Sequence, residues 1–278
     1  MPELPEVETT ARLIRPDLVG RKVREVNVEW TRTLGGQDPF AFTEALVGAT
    51  IVTVDRRAKW VRIALERRGK PSGTVLVHLR MTGRLVVNPS REEAPDYARV
   101  SWRLDRGTLH FLDVRKFGRM EFFRDPAERL AGLGPEPLGP DFTASWFRSA
   151  LRGRSRALKP LLLDQTFLAG LGNIYVDESL FRAGLHPLRR SDRVPPRRAD
   201  VLHAAIRDIL AEAIEREGSS FDGFYRTPEG QPGGYQHLFQ VYGREGLPCR
   251  VCERPLKRIV VGQRGTHFCT RCQPTPRS

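Results

Sequence analysis

The feature that most limits what this chain can fold into lies near its end. All four cysteines fall between positions 249 and 272, as Cys249-x2-Cys252 and Cys269-x2-Cys272 with sixteen residues between the pairs. Each pair presents two thiolates from a tight turn, and the stretch between is long enough for a β-hairpin. This is the spacing of a ribbon around one tetrahedral Zn2+ ion. Four thiolates fill the coordination shell, so the metal is structural and no position is left for a reacting water. Two incidental disulfides or a redox CxxC are the alternatives. With no cysteine elsewhere there is no dispersed disulfide framework, which fits a reduced, cytoplasmic protein.

Charge narrows the partner. The 278 residues carry a net charge of +13, and of the 46 cations only six are Lys. Residues 244–278, the cysteine segment, hold +6 of that surplus. A guanidinium fork matches phosphate oxygens, so a nucleic acid is the expected partner, although a GC-rich genome also favours Arg over Lys. No apolar run approaches the ~20 residues that cross a bilayer, so no membrane association is expected. The acidic start, Met1-Pro2-Glu3-Leu4-Pro5-Glu6-Val7-Glu8, has no secretory h-region.

Hydrophobic periodicity divides the rest. Val7, Ala11, Ile14 and Leu18 form a helical stripe. The period then changes to two, in Val26, Val28 and Trp30 and in Val75, Val77 and Leu79, with β-rich runs at 50–54, 59–65, 107–112 and 118–123. One helix followed by short strands predicts a β-sandwich or barrel. Past a Pro/Gly-rich stretch the pattern is helical, over 143–152, 158–168, 174–183 and 199–216, and residues 219–236 read as a long loop. The expected division is 1–134 for the β-rich domain, 135–143 for a linker, 144–243 for the helical domain and 244–278 for the zinc finger.

Three places invite chemistry. Gly170 and Gly172 allow a sharp turn between two helices, with Asn173 placed to cap the second, whose N-terminus suits a phosphate. Arg264 lies in a turn of the ribbon. Pro2 directly follows the initiator Met, whose removal exposes a secondary amine with a reference pKa near ~8, able to attack an electrophilic sugar carbon. Glu3 and Glu6 stand beside it as acids.

Together, Met1-Pro2-Glu3-Leu4-Pro5-Glu6-Val7-Glu8-Thr9, His78-Leu79-Arg80-Met81-Thr82-Gly83-Arg84, Asp113-Val114-Arg115-Lys116-Phe117-Gly118, Gly170-Leu171-Gly172-Asn173-Ile174-Tyr175-Val176-Asp177-Glu178 and the four-cysteine ribbon span nearly the whole chain. In this order they resemble the bacterial formamidopyrimidine-DNA glycosylases, which remove 8-oxoguanine and ring-opened purines from DNA. Leu4 resembles this branch more than the endonuclease VIII branch, which usually has Gly there. The resemblance implies an α+β fold: an N-terminal β-sandwich with an N-terminal helix, a helix-two-turn-helix domain and a C-terminal zinc-ribbon hairpin.

It implies Pro2 as the nucleophile, Glu3 as the catalytic acid, Glu6 as a group that orients the terminus, and Lys59 near the lesion and its phosphates. Met81, Arg115 and Phe117 would fill the space left by the extruded base. Lys159, Asn173 and Arg264 would contact DNA phosphates, with Lys59 and Arg264 counted among the catalytic set. The loop at 219–236 would read the lesion, and the partner would be duplex DNA with oxidised bases or abasic sites, bound by a monomer. Two other readings remain open here: an endonuclease VIII-like enzyme for oxidised pyrimidines, and a non-enzymatic zinc-ribbon DNA-binding protein.

Overall fold

The computed structural model describes residues 1–88, 94–221, 223 and 225–275. It divides into two compact units, Met1–Gly132 with Arg216–Gly234, and Leu133–Glu215 with Tyr235–Ser278.

The first unit opens with helix α1 (Leu4–Leu18), whose stripe Val7, Ala11, Ile14 and Leu18 is buried as its spacing predicts. Strand β1 (Val23–Val28) and helix α2 (Pro39–Leu46) follow, the latter capped by the Asp38 side chain, which accepts from the Ala41 N–H at 2.9 Å. Seven strands come next: β2 (Thr50–Arg57), β3 (Trp60–Arg67), β4 (Lys70–His78), β5 (Gly83–Asn88), β6 (Ala98–Leu104), β7 (Thr108–Asp113) and β8 (Arg119–Phe123). A single turn, α3 (Ala127–Leu130), ends this stretch. The strands form two antiparallel four-stranded sheets, β2-β3-β4-β8 and β1-β6-β7-β5. One core joins both sheets to α1 and includes Ile63, Val75, Val77, Trp102 and Phe111. The sandwich expected from the period-two pattern is present, and α2, β5 and β6 are additions to it.

The second unit contains α4 (Ala144–Arg152), α5 (Leu158–Leu163), α6 (Asn173–Arg182) and α7 (Pro196–Glu215), with the hairpin β9 (Lys257–Val261) and β10 (Arg264–Phe268). Helix α5 stops five residues before the predicted end at 168. The Asp164 carboxylate accepts from the Thr166 N–H at 3.0 Å and its hydroxyl at 2.7 Å, offering the backbone a turn in place of another helical bond. Residues 135–143 belong to this unit, tied by Arg207, which donates to the carbonyls of Pro137 and Gly139.

The ribbon, expected over 244–278, packs on the helical unit: Cys249, Leu256 and Cys269 share a small core with Phe181 of α6 and Val241. Most of the 219–236 loop, placed with the helical domain from sequence, folds with the sandwich unit. Asp222 and Phe224 of that loop lie outside the described residues.

The segment leading to the ribbon is held by a carboxylate. Glu178 of α6 is buried and accepts backbone N–H groups from Gln240 at 2.9 Å, Val241 at 3.0 Å and Tyr242 at 2.8 Å. Burial raises its pKa from the ordinary carboxylate value, against the opposing pull of those bonds. Glu178→Leu removes the acceptor of three backbone donors, buried at Val241 and half-buried at Gln240 and Tyr242, and a buried orphan costs about 1–3 kcal/mol. The variant is expected to lose about 3 kcal/mol or more of stability, read as a lower urea midpoint at unchanged slope. A midpoint equal to that of the unaltered protein would contradict this account.

Candidate functional site

In the sandwich unit Pro2, Glu3 and Glu6 lie at the start of α1. Pro2 and Glu3 are buried, and α1 begins at Leu4, so both sit at its N-terminal lip. Glu6, only 2% exposed, turns back and accepts the Glu3 backbone N–H on Oε2 at 2.8 Å, one half of a capping box. Its other oxygen, Oε1, accepts the Ser219 N–H at 2.8 Å and the Ser219 hydroxyl at 3.2 Å. The loop base is thereby tied to the first turn of α1. Gly218 is left-handed at φ 79°, and a Cβ there would stand 2.8 Å from the Glu6 side chain, so both conformation and space call for glycine. Tyr225 donates to the Glu6 carbonyl at 3.4 Å, and burial, then the Glu6 charge, pushes its phenol pKa up.

Lys59 occupies the two-residue turn between β2 and β3, next to Ala58 at φ 53°, and is buried. An ion pair holds that turn to α1: Arg56 Nε lies 3.0 Å from Glu8 Oε2, while Arg56 Nη1 donates to the Ala58 carbonyl at 3.0 Å. Strand pairing sets His78 opposite Trp60, and the rings meet edge to face at 4.8 Å. His78 Nδ1 accepts the N–H of Arg80, which is left-handed at φ 54°. Burial, then the charges of Arg80, Lys59 and Arg129, lowers the His78 pKa from 6.5 to about 3, keeping that acceptor unprotonated at neutral pH.

Met81, Arg115 and Phe117 are brought together by a residue to which the sequence assigned no role. Asp113 is 1% exposed; Oδ1 accepts from the Thr82 hydroxyl and from the Arg115 N–H at 3.2 Å, and Oδ2 accepts from the Gly118 N–H at 2.7 Å. One carboxylate therefore sets both the turn carrying Met81 and the loop carrying the other two. Gly118 is required by space, because a Cβ there would lie 2.4 Å from the Phe111 ring. Phe117 is 49% exposed, and the Arg115 guanidinium stacks over it at 4.9 Å.

In the helical unit, Gln165 braces the glycine turn, donating to the Leu171 carbonyl at 2.9 Å and accepting the Gly170 N–H at 2.9 Å. Two expectations change. Gly172, not Asn173, is the N-cap of α6; Asn173 is the first helical residue, and its side chain donates to the Gly265 carbonyl at 2.9 Å. Lys159, expected on a phosphate, is 0% exposed. Its ammonium is paired with Asp177 at 2.6 Å and also donates to the Gly265 carbonyl at 3.0 Å, so its own charge faces a carboxylate. Arg264 is exposed at the start of β10, just past the Gly262-Gln263 turn.

The four cysteine sulfurs lie within 4.8 Å of one another, with Cys252 and Cys269 at 3.4 Å and Cys249 and Cys272 at 3.9 Å. A tetrahedron with Zn–S bonds of ~2.3 Å needs sulfurs ~3.8 Å apart, so the cluster fits one zinc. The Arg254 backbone N–H draws the Cys252 thiol down to about 7, whereas burial pushes the Cys269 and Cys272 thiols up. A bound cation offsets that cost by stabilising the thiolates.

Two outcomes are expected. Metal analysis returns about one zinc per chain, and Cys269→Ala loses it together with DNA binding; a metal-free preparation that binds DNA as well as the zinc-loaded protein overturns the structural-metal assignment. As pH falls from 6.5 toward about 3, unfolded His78 takes up a proton that the folded one refuses, so stability falls by up to about 1.4 kcal/mol per pH unit. His78→Asn keeps an acceptor and removes the titration. Urea unfolding at pH 7 and pH 5 reads the difference, and identical pH losses in both proteins would refute it.

The chain matches three family descriptions: Formamidopyrimidine-DNA glycosylase N-terminal domain over residues 1–120, Formamidopyrimidine-DNA glycosylase H2TH domain over 133–224, and Zinc finger found in FPG and IleRS over 246–275. The formamidopyrimidine-DNA glycosylase of Symbiobacterium thermophilum is 42% identical, across 99% of this chain and 90% of that protein. Its Thermus thermophilus counterpart is 45% identical, across 98% of each. The crystal structure of the MutM (Fpg) protein from Thermus thermophilus has a TM-score of 0.87 at 43% identity, covering 99% of this chain and 100% of that one. A Lactococcus lactis Fpg solved with DNA containing N7-benzyl-Fapy-dG has a TM-score of 0.89 at 34% identity, with the same coverage. The chain therefore belongs to the formamidopyrimidine-DNA glycosylase family.

Proposed function

We propose that this protein is a bifunctional DNA glycosylase and AP lyase, excising oxidised purines such as 8-oxoguanine and formamidopyrimidines from duplex DNA. It would act as a monomer in the bacterial cytoplasm. The observation that carries the reading is the Pro2-Glu3 pair at the lip of α1, with the Glu3 backbone fixed by the buried Glu6 carboxylate. With Met1 attached the Pro2 nitrogen is an amide; once Met1 is removed it is a secondary amine.

The amine attacks C1′ of the damaged nucleotide and gives up its proton, the C1′–N bond to the base breaks, and the C1′–O4′ bond then opens to leave an iminium, with Glu3 delivering a proton to O4′ or the leaving base. The resulting iminium acidifies the C2′ protons. Loss of one with departure of the 3′ phosphate, and then the corresponding δ-elimination of the 5′ phosphate, cuts the strand on both sides. Lys59 acts beside the reacting sugar and its phosphates. Extruding the base costs a few kcal/mol, and Met81, Arg115 and Phe117 fill the vacated stack, with the exposed Phe117 ring as wedge and Arg115 facing the orphaned base. Asn173 and Arg264 take phosphates. Zinc supplies no chemistry to these steps; it holds the hairpin that carries Arg264.

Borohydride added to the Met-processed protein and an 8-oxoguanine:C duplex should trap a covalent protein–DNA adduct. Pro2→Gly is expected to abolish it, and Glu3→Gln to slow base release about 100-fold or more. No adduct with the unaltered protein would sink the catalytic reading in favour of a DNA-binding module. A strong preference for thymine glycol duplexes would instead move the substrate to oxidised pyrimidines.

A further inference from the structure

We infer that Lys159 and Asp177 are positioning residues for Arg264, acting through the backbone of β10 and making no DNA contact of their own. The inference rests on the reading of Arg264 as a phosphate contact. Both side chains are 0% exposed, and their 2.6 Å pair lies inside the helical unit. The ammonium also donates to the carbonyl of Gly265, the residue after Arg264, at 3.0 Å. The Asn173 amide donates to the same oxygen at 2.9 Å. On the other side of the pair, Asp177 Oδ2 accepts the His267 backbone N–H at 2.9 Å.

The geometry explains why these residues can work together. Asn173 and Asp177 are one turn apart on the same face of α6, a rise of ~6 Å. Gly265 and His267 are two residues apart on β10, a rise of ~6.7 Å. Helix and strand are therefore matched in step, and each α6 side chain meets a backbone group of the same strand. Lys159, reaching in from α5, closes the arrangement by binding Asp177 and the Gly265 carbonyl together. What this fixes is the height and twist of β10 at its exposed first residue, Arg264. A hairpin tip joined only by its own ladder would leave a long guanidinium free to wander, whereas a turn anchored within one residue presents it in one place.

Lys159→Met alone strands a buried Asp177 charge and is expected to unfold the unit. The informative variant is Lys159→Met with Asp177→Asn, which removes both charges, keeps the volumes and leaves an oxygen for His267. Two measurements use the zinc-loaded full chain. Without DNA, amide exchange at residues 261–266 is expected to speed up about 10-fold in the double variant. With a tetrahydrofuran abasic-site duplex, affinity is expected to fall about 10-fold in the otherwise unaltered protein but less than about 3-fold in an Arg264→Ala background, because the two changes act on one contact.

Salt separates this from a direct contact. A Lys159 that met phosphate itself would, when removed, lower the slope of log K against log salt by about 0.9 in the Arg264→Ala background as well, and that result overturns the proposal. Unchanged exchange at the hairpin tip also overturns it. If exchange rises while Arg264→Ala leaves affinity and salt slope unaltered, anchoring of the turn stands and the phosphate role of Arg264 fails.

Discussion

A carboxylate taken out of water must be given hydrogen-bond donors or lose its charge, and this chain uses that requirement to fix its functional segments. Glu6 takes the backbone of Glu3 on one oxygen and that of Ser219 on the other, joining residues more than two hundred positions apart. Asp113 takes Thr82, Arg115 and Gly118; Asp177 takes Lys159 and His267; Glu178 takes three successive amides ahead of the ribbon. Most of these donors are backbone groups that no regular ladder serves. Each acid therefore does for a loop what a neighbouring strand does for a strand, and removing it leaves several buried N–H groups without partners at once.

Much of this was legible in the sequence because two signals are local. The 3.6 and 2.0 periods place α1 and most of the sandwich strands, and cysteine spacing alone predicts the cluster whose sulfurs gather within 4.8 Å. Pro2, Glu3 and Glu6 could be singled out because they are consecutive with the start of a helix. What stayed hidden depends on long-range burial. Asp113 and Asp177 sat inside motifs already noticed, yet an acidic residue in a short motif looks the same whether it is solvated or enclosed. Lys159 shows the converse: a cation in a basic chain reads as a phosphate contact, and only its enclosure beside Asp177 gives it a different task. The short helix α2 escaped because its eight residues, capped by Asp38, carry too little periodic pattern to stand out.

The path of the chain has a similar cause. Residues 216–234 leave the helical unit, complete the sandwich unit and return, so a loop following α7 is folded by the first residues of the protein. Among the contacts responsible are Ser219 on Glu6, Tyr225 on the Glu6 carbonyl, and Gly218 lying against the Glu6 side chain. No pattern within 216–234 announces the partner Glu6, because that acid lies at the other end of the sequence.

The arginine surplus also acquires a second meaning. Part of it is engaged by the protein's own carbonyl groups. Arg67 donates to the carbonyls of Glu44, Ala45 and Val47 at the end of α2, and Arg207 holds those of Pro137 and Gly139. Arg244 binds the carbonyls of Gln240 and Pro248, Arg99 that of Asp113, and Arg15 that of Val54. A planar fork with five donors can bridge two or three carbonyl oxygens at once, closing helix ends and irregular turns. Arg in these positions follows from backbone geometry, and no polyanion is needed to explain it. The net charge of +13 therefore includes guanidinium groups already committed to the protein's own backbone.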